Sequence, residues 1–387
     1  MKITIITPDF SHNCLGRAWT LAKILEKTYD VEIVGPLFGK DLWEPLKNID
    51  IPYRYVRVNK VGYSFPTYLK KILTLIDGDL VYSSKLYLSS FVPAVIAKEK
   101  LQIPHILDID DWERGFVMNA LRNKSLITRF TYYSISTAFW GHLSSYWQKY
   151  IPEKLSYLPD AITVSNSFLK RKFGGSIIWH TRDEKIFDPK LYTPENSKRS
   201  IGINDNLKVV LFFGTPKPYK GVEDLINAMA LVDQKDVVLV IAGLGNDPYS
   251  RYVRELGRKQ LGEKFIGIGN VPFHKIPEIV SIADVYVIPQ KKSPATVGQM
   301  PAKVFDAMAM AKPIVATNVS DLPYVLKKCG IIVEPGDIEK IAEEIKFLLE
   351  NPSIAKKLGK KCHYRFIREF SLSAMKTVIK KVVSYVA

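Results

Sequence analysis

The sequence predicts an α/β protein made of two doubly wound domains. Short apolar runs such as VVLFF (209–213) and VVLVIAG (237–243) alternate with helix-period segments along the whole chain. Parallel strands covered on both faces by helices give that pattern. The alternation breaks once, around 158–190, and restarts near 206. A length of 387 residues allows two or three separate cores.

The elements follow in order. ITIIT (3–7) reads as a buried strand, RAWTLAKILEK (17–27) as a helix and VEIVGP (31–36) as the next strand. DLVYSS (79–84) and IPHILDID (103–110) are further strands, with a helix over VPAVIAKEKL (92–101) between them. YLPDAITVSN is a strand and turn, and the turn-rich stretch after it leads to a linker at about 184–200. This places an N-terminal domain at 1–190 and a C-terminal one at 191–371. In the second half, strands are expected at 206–214, 237–243, 265–270, 285–290 and 313–317. Helices fill the gaps at 222–232, 249–260, 274–283 and 301–311, and amphipathic helices close the chain at 337–351 and 353–386.

Composition narrows the function classes. The net charge is +16, with +7 in residues 1–190 and +9 in the rest, so the excess is spread and is no basic tail. Nucleic acid, an anionic membrane or a phosphorylated small molecule could each use it. No RNP-type aromatic run or paired Cys/His is present, so nucleic acid is not the expected partner. No apolar run approaches the ~20 residues of a spanning helix. The opening MKITIITPDF reads as a strand and not a leader. Cys14, Cys329 and Cys362 have no metal-ligand spacing and make no disulfide framework. A cytoplasmic setting without a bound metal is expected.

Ligands of open parallel sheets sit beyond the carboxyl ends of the strands, so the loops there carry the chemistry. In FFGTPKPYKG (212–221), Gly214 ends a strand and Gly221 precedes a helix. Thr215, Lys217 and Lys220 lie between them, and free amides, a helix dipole and two ammonium groups can cradle pyrophosphate. The alternative is a solvated basic loop. In the segment 290–317, Gly298, Gln299 and Met300 lead to Pro301, which suits a first helical turn. Lys303 and Asp306 then share one helix face. Asp306 stands in an apolar stretch and needs partners, either hydroxyl groups or a lysine such as Lys303. Gly16 and Arg17 occupy the loop after the first strand, which lacks a G-x-G-x-x-G fingerprint. LDIDDWERG (107–115) brings Asp108, Asp110 and Asp111 to another strand end. Asp110 or Asp111 is expected to face a substrate, with a helix cap or an ion pair as the alternative.

These loops, in this order, resemble the retaining glycosyltransferases of family 4. The resemblance is strongest from about 205 to 335, through FFGTPKPYKGVEDLINAMA, IAGLGND, FIGIGNVPFHKIPEIVSIADVYVIPQ and PAKVFDAMAMAKPIVATNVSDLPYVL. It implies the GT-B fold: two Rossmann-like domains facing a cleft, with the last helix (372–387) crossing back to the first domain. It implies that Lys220 binds donor phosphate and that Asp306 holds the donor ribose. It also implies that loop 298–301 lies against the phosphates or sugar, that Val271 to His274 borders the base, and that Gly16 faces the active site.

Three departures stand out. The family often has two glutamates eight apart, where this chain has Gly298 and Asp306. Its usual arginine in the phosphate loop is Thr215 here, and its His-Asp pair aligns with Asp110-Asp111. The implied activity is metal-independent transfer of a hexose from a nucleotide-sugar such as UDP- or GDP-hexose, with catalytic roles for Asp110, Asp111 and Lys303. The acceptor is a saccharide or a lipid-linked saccharide. The aromatic, basic segment 116–150 suggests peripheral contact with an anionic membrane. A nucleotide-binding subunit without turnover and a sugar-nucleotide epimerase are the alternatives.

Overall fold

The computed structural model describes residues 1–59, 64–138 and 145–387. The chain forms two compact units. The first comprises Met1–His180, Val297–Met300 and Met375–Ala387; the second comprises Thr181–Thr296 and Pro301–Ala374.

The first unit holds a seven-stranded parallel sheet of β1 (Lys2–Ile6), β2 (Asp30–Leu37), β3 (Tyr53–Arg57), β4 (Leu80–Ser84), β5 (His105–Ile109), β6 (Ala161–Val164) and β7 (Ser176–Ile177). The strand order is β3-β2-β1-β4-β5-β6-β7. The winding reverses between β1 and β4, so the loops after these strands open at a topological switch point. Ser84 is in register with Asp108, which sets the ends of β4 and β5 side by side.

The second unit holds a six-stranded parallel sheet of β8 (Lys208–Phe213), β9 (Val237–Ala242), β10 (Phe265–Ile268), β11 (Val285–Ile288), β12 (Ile314–Thr317) and β13 (Ile331–Val333). Its order, β10-β9-β8-β11-β12-β13, reverses between β8 and β11. β9 is buried at every residue and β8 at all but its first, which is why both read as unbroken apolar runs.

Some expectations shift. The units change between His180 and Thr181, earlier than the 190/191 boundary, because Thr181 and Arg182 are already bonded inside the second unit. The expected linker at 184–200 contains the helix Pro194–Ser200 and belongs to that unit. The helix expected from Val92 starts at Leu88 and runs through Pro93. Proline has no N–H for the carbonyl four residues back. The buried Tyr68 hydroxyl donates to that carbonyl, Ser89 O, instead. The closing segment 353–386 is two helices, Pro352–Glu369 and Leu372–Val386, and the latter joins the first unit from Met375 onward.

Candidate functional site

In the first unit, the loops after β4 and β5 assemble a charged cluster. Lys85 follows β4 in a left-handed conformation, with φ 62°. Its Nζ lies 2.8 Å from Asp110 Oδ1, 2.8 Å from Asp111 Oδ2 and 3.4 Å from Glu113 Oε1. The Tyr87 hydroxyl donates to Glu113 Oε2 at 2.6 Å. Three carboxylates around one ammonium leave an acidic excess in a buried place. Burial raises the carboxyl groups of Asp110 and Asp111 above the usual range, against the pull of Lys85. Lys85 itself is held well above its ordinary value by the acids, although burial opposes this. His12, exposed in the loop after β1, lies within electrostatic reach of Asp9, Lys85 and Glu113.

Asp108 is spent elsewhere. Arg17 donates to both its oxygens at 2.8 Å, and Thr163 Oγ1 donates to one at 2.8 Å. Arg17 also donates to Ile178 O at 2.9 Å, and it is buried. Arg17, expected in the acceptor or phosphate loop, is a buried strut between the first helix and β5. Gly16, half-buried, sits against the Trp43 ring, 3.2 Å from where its Cβ would be.

The stretch 297–300 belongs to this unit. Trp112 N–H donates to Gly298 O at 2.9 Å. Gln299 pairs with Asp111 in an antiparallel bridge, and its Nε2 donates to Asp111 Oδ1 at 3.2 Å. Met300 is buried. A Cβ at Gly298 would overlap Trp112 Cβ and lie 3.3 Å from the Phe168 ring. The missing glutamate is therefore not a simple gap, because packing leaves no room for a side chain there.

In the second unit, the loop after β8 holds the cationic site. Gly214 has φ 134°, and its missing Cβ would be 3.7 Å from Lys303 Cγ and 3.9 Å from Lys220 Nζ. Lys220 Nζ donates to Thr215 O at 2.7 Å. Lys217 stands 3.9 Å from Asp247. Gly221, with φ 69°, caps the helix Val222–Leu231 and lies against Pro289, the first residue after β11. Both switch-point loops thus meet at this helix N-terminus. Lys303 Nζ lies over the Phe213 ring, 4.3 Å from its centre, and 3.4 Å from Asp306 Oδ2. Desolvation lowers its ammonium from the ordinary lysine value, and Asp306 opposes the shift.

Of the two partners expected for Asp306, the Lys303 ion pair is the one present, and Arg182 adds a second cation that the sequence did not suggest. Asp306 is fully buried in the short helix Lys303–Ala309, and Arg182 donates to its Oδ1. A carboxylate so far from water needs a cation, and Arg182 supplies one. The partially exposed member of the group is Lys303, whose side chain is 32% accessible. Pro301 precedes that helix and is not within it. Val271 is half-buried and His274 exposed beyond β10. The Phe273 between them packs on Phe187, and Arg182 lies over both rings. Sequence reading missed Lys85, Glu113, Tyr87, His12 and Arg182. The strand-end rule could have found Lys85, which directly follows β4; Arg182 carries no such signal.

Among the described residues no group of His, Cys, Asp and Glu could hold a metal ion. No helix there is long and apolar enough to cross a membrane.

Comparison with known proteins agrees with the two sheets. The solved structure of Anabaena HepE in complex with UDP-glucose superposes over all of both chains with a TM-score of 0.76 at 17% identity. Sucrose-phosphate synthase from Thermosynechococcus elongatus gives 0.72 at 16% identity, over 100% of this chain and 98% of that one. At such identities the likeness is one of fold: two Rossmann-like halves. In sequence, 199 residues are 33% identical to an uncharacterized glycosyltransferase of Methanocaldococcus jannaschii, covering 47% of this chain and 48% of that protein. Over 204 residues the chain is 30% identical to alpha-maltose-1-phosphate synthase of Mycolicibacterium smegmatis, 49% of this chain and 51% of the relative. The chain thus spans about half the length of the curated relatives it matches. Residues 194–363, which contain the Gly214–Gly221 loop, Lys303 and Asp306, match the model of the glycosyl transferases group 1 family.

Proposed function

We propose that the protein is a glycosyltransferase that moves a hexose from a nucleotide-sugar to a saccharide or lipid-linked acceptor, with retention and without a metal. The observation that carries this reading is the convergence of Lys220, Lys303 and the N-terminus of helix Val222–Leu231 around Gly214, inside the family-matched segment. When a nucleoside diphosphate leaves, negative charge grows on its phosphates. Fixed ammonium groups and free helix amides meet that charge without reorganising. Gly214 leaves the backbone bare, so a phosphate can approach it closely. In the first unit, Asp111 can orient sugar hydroxyls or take the acceptor proton, and burial already favours its protonated form.

One observation favours a second reading, a nucleotide-binding subunit without turnover. Gly298 is packed so that no carboxylate can stand there. Calorimetric titration with UDP, GDP and ADP, with and without EDTA, tests the proposal, followed by a turnover assay with the sugar-nucleotide whose base binds. One nucleotide should bind regardless of EDTA, and the sugar should leave its donor. Binding without turnover supports the second reading, and no binding at all removes both.

A further inference from the structure

The strongest unassigned feature lies in the second unit, away from the loops after β8 and β11. A groove of about 990 Å³ runs between the turn at Lys327–Cys329 and the helix Pro352–Glu369. Two contacts tie its walls together. Arg365 Nη1 donates to Lys327 O at 3.1 Å, and Cys362 Sγ to Cys329 O at 3.0 Å. Lys328, at the rim, has φ 66°, a left-handed conformation that lysine rarely takes.

Eight of the twelve lining residues are cationic. Lys327, Lys328, Lys356, Lys357, Lys360 and Lys361 line the groove, and all six are exposed. Glu369 is the only acid among the lining residues, and Arg365 and Arg368 already hold it at 3.0 and 2.7 Å. Lys356/Lys360 and Lys357/Lys361 are like-charge pairs one helical turn apart, a spacing that costs helix stability. Crowded cations of this kind are relieved by a bound polyanion.

We infer that this groove is a second anion site, for a soluble ligand with several linked phosphates. Lysines on successive turns have Cβ atoms roughly 5–6 Å apart, so their ammonium groups can reach one ligand together. One phosphate meets one or two of them, whereas a chain of phosphates meets both walls. The recess between two walls suits a discrete ligand better than a flat lipid surface. The inference does not rest on the proposed sugar transfer.

The test is calorimetric titration of the full chain carrying Lys220→Ala, so that the loop after β8 contributes little. Inorganic tripolyphosphate should saturate one site, at least tenfold more tightly than orthophosphate and more weakly as salt rises. Adding Lys356→Glu and Lys360→Glu should weaken it at least tenfold. If that variant misfolds, Lys356→Gln, Lys357→Gln, Lys360→Gln and Lys361→Gln together should give the same loss. Unchanged affinity in the groove variants, or no saturation, overturns the inference. So does a groove that ignores tripolyphosphate while its reversal releases the chain from phosphatidylglycerol vesicles.

Discussion

Lys85 is the shared cation of the carboxyl groups of Asp110, Asp111 and Glu113 and offsets part of their charge from a buried position. Removing one partner of a buried ion group strands the others, at a cost of about 3–5 kcal/mol. Lys85→Met should therefore lower stability by about that much at pH 7 in denaturant unfolding. The pH dependence has a definite sign. Asp110 and Asp111 already bind protons more tightly folded than unfolded, and losing Lys85 strengthens this. Their contribution is favourable at low pH and is lost as pH rises through the raised folded values. The deficit should shrink as pH falls from 7 toward 4; a constant deficit would remove the charge explanation. At the other loop, Lys220→Ala should weaken nucleoside diphosphate binding at least tenfold, since a charge-assisted hydrogen bond contributes about 1.5–3 kcal/mol. Titration calorimetry reads this directly. The position of Lys220 could be read from sequence, because Gly214 and Gly221 mark the loop between a strand and a helix. Asp306 was half legible: its pairing with Lys303 could be read from the spacing, whereas its other partner, Arg182, lies 124 positions away in sequence.

At the scale of elements, buried parallel strands announce themselves as apolar runs, so β1, β8 and β9 were readable. β3, with the pattern YRYVR and partly exposed, and β7, two residues long, lack that signal and gain their form from pairing with neighbours. The helix start at Leu88 was hidden because Pro93 mimics a first turn, and only the Tyr68 hydroxyl makes its interior place tenable. The Gly221 turn is the most constrained of the functional loops. With φ 69° and Pro289 against it, Gly221→Ala should cost more than about 2 kcal/mol and weaken nucleotide binding as well. Thermal unfolding with and without nucleotide checks both, and a variant of wild-type stability would contradict the close approach.

Across the whole molecule, the +16 charge has several outlets. In the first unit the helix Leu126–Ala138 exposes Leu126, Ile127, Phe130 and Ile135, with Arg122, Lys124 and Arg129 nearby. Apolar side chains flanked by cations are what an anionic bilayer surface takes up. Part of the 116–150 segment, residues 139–144, lies outside the described residues. The chain should float with phosphatidylglycerol liposomes at low salt, and Ile127→Asp with Phe130→Asp should release it. Flotation unchanged by that pair would assign the affinity to charge alone.

Gly298 and Trp112 bear on how such a loop can change. The atom in the way of a side chain at 298 is Trp112 Cβ, which every residue but glycine possesses. Trimming the indole therefore opens nothing. A carboxylate side chain at 298 needs glycine at 112 or a shift of the backbone. The two positions are thus coupled through one main-chain-proximal contact and not through the indole. Introducing Gly298→Glu into a Trp112→Ala background should leave the chain as unstable as Gly298→Glu alone, while a Trp112→Gly background should recover part of the loss.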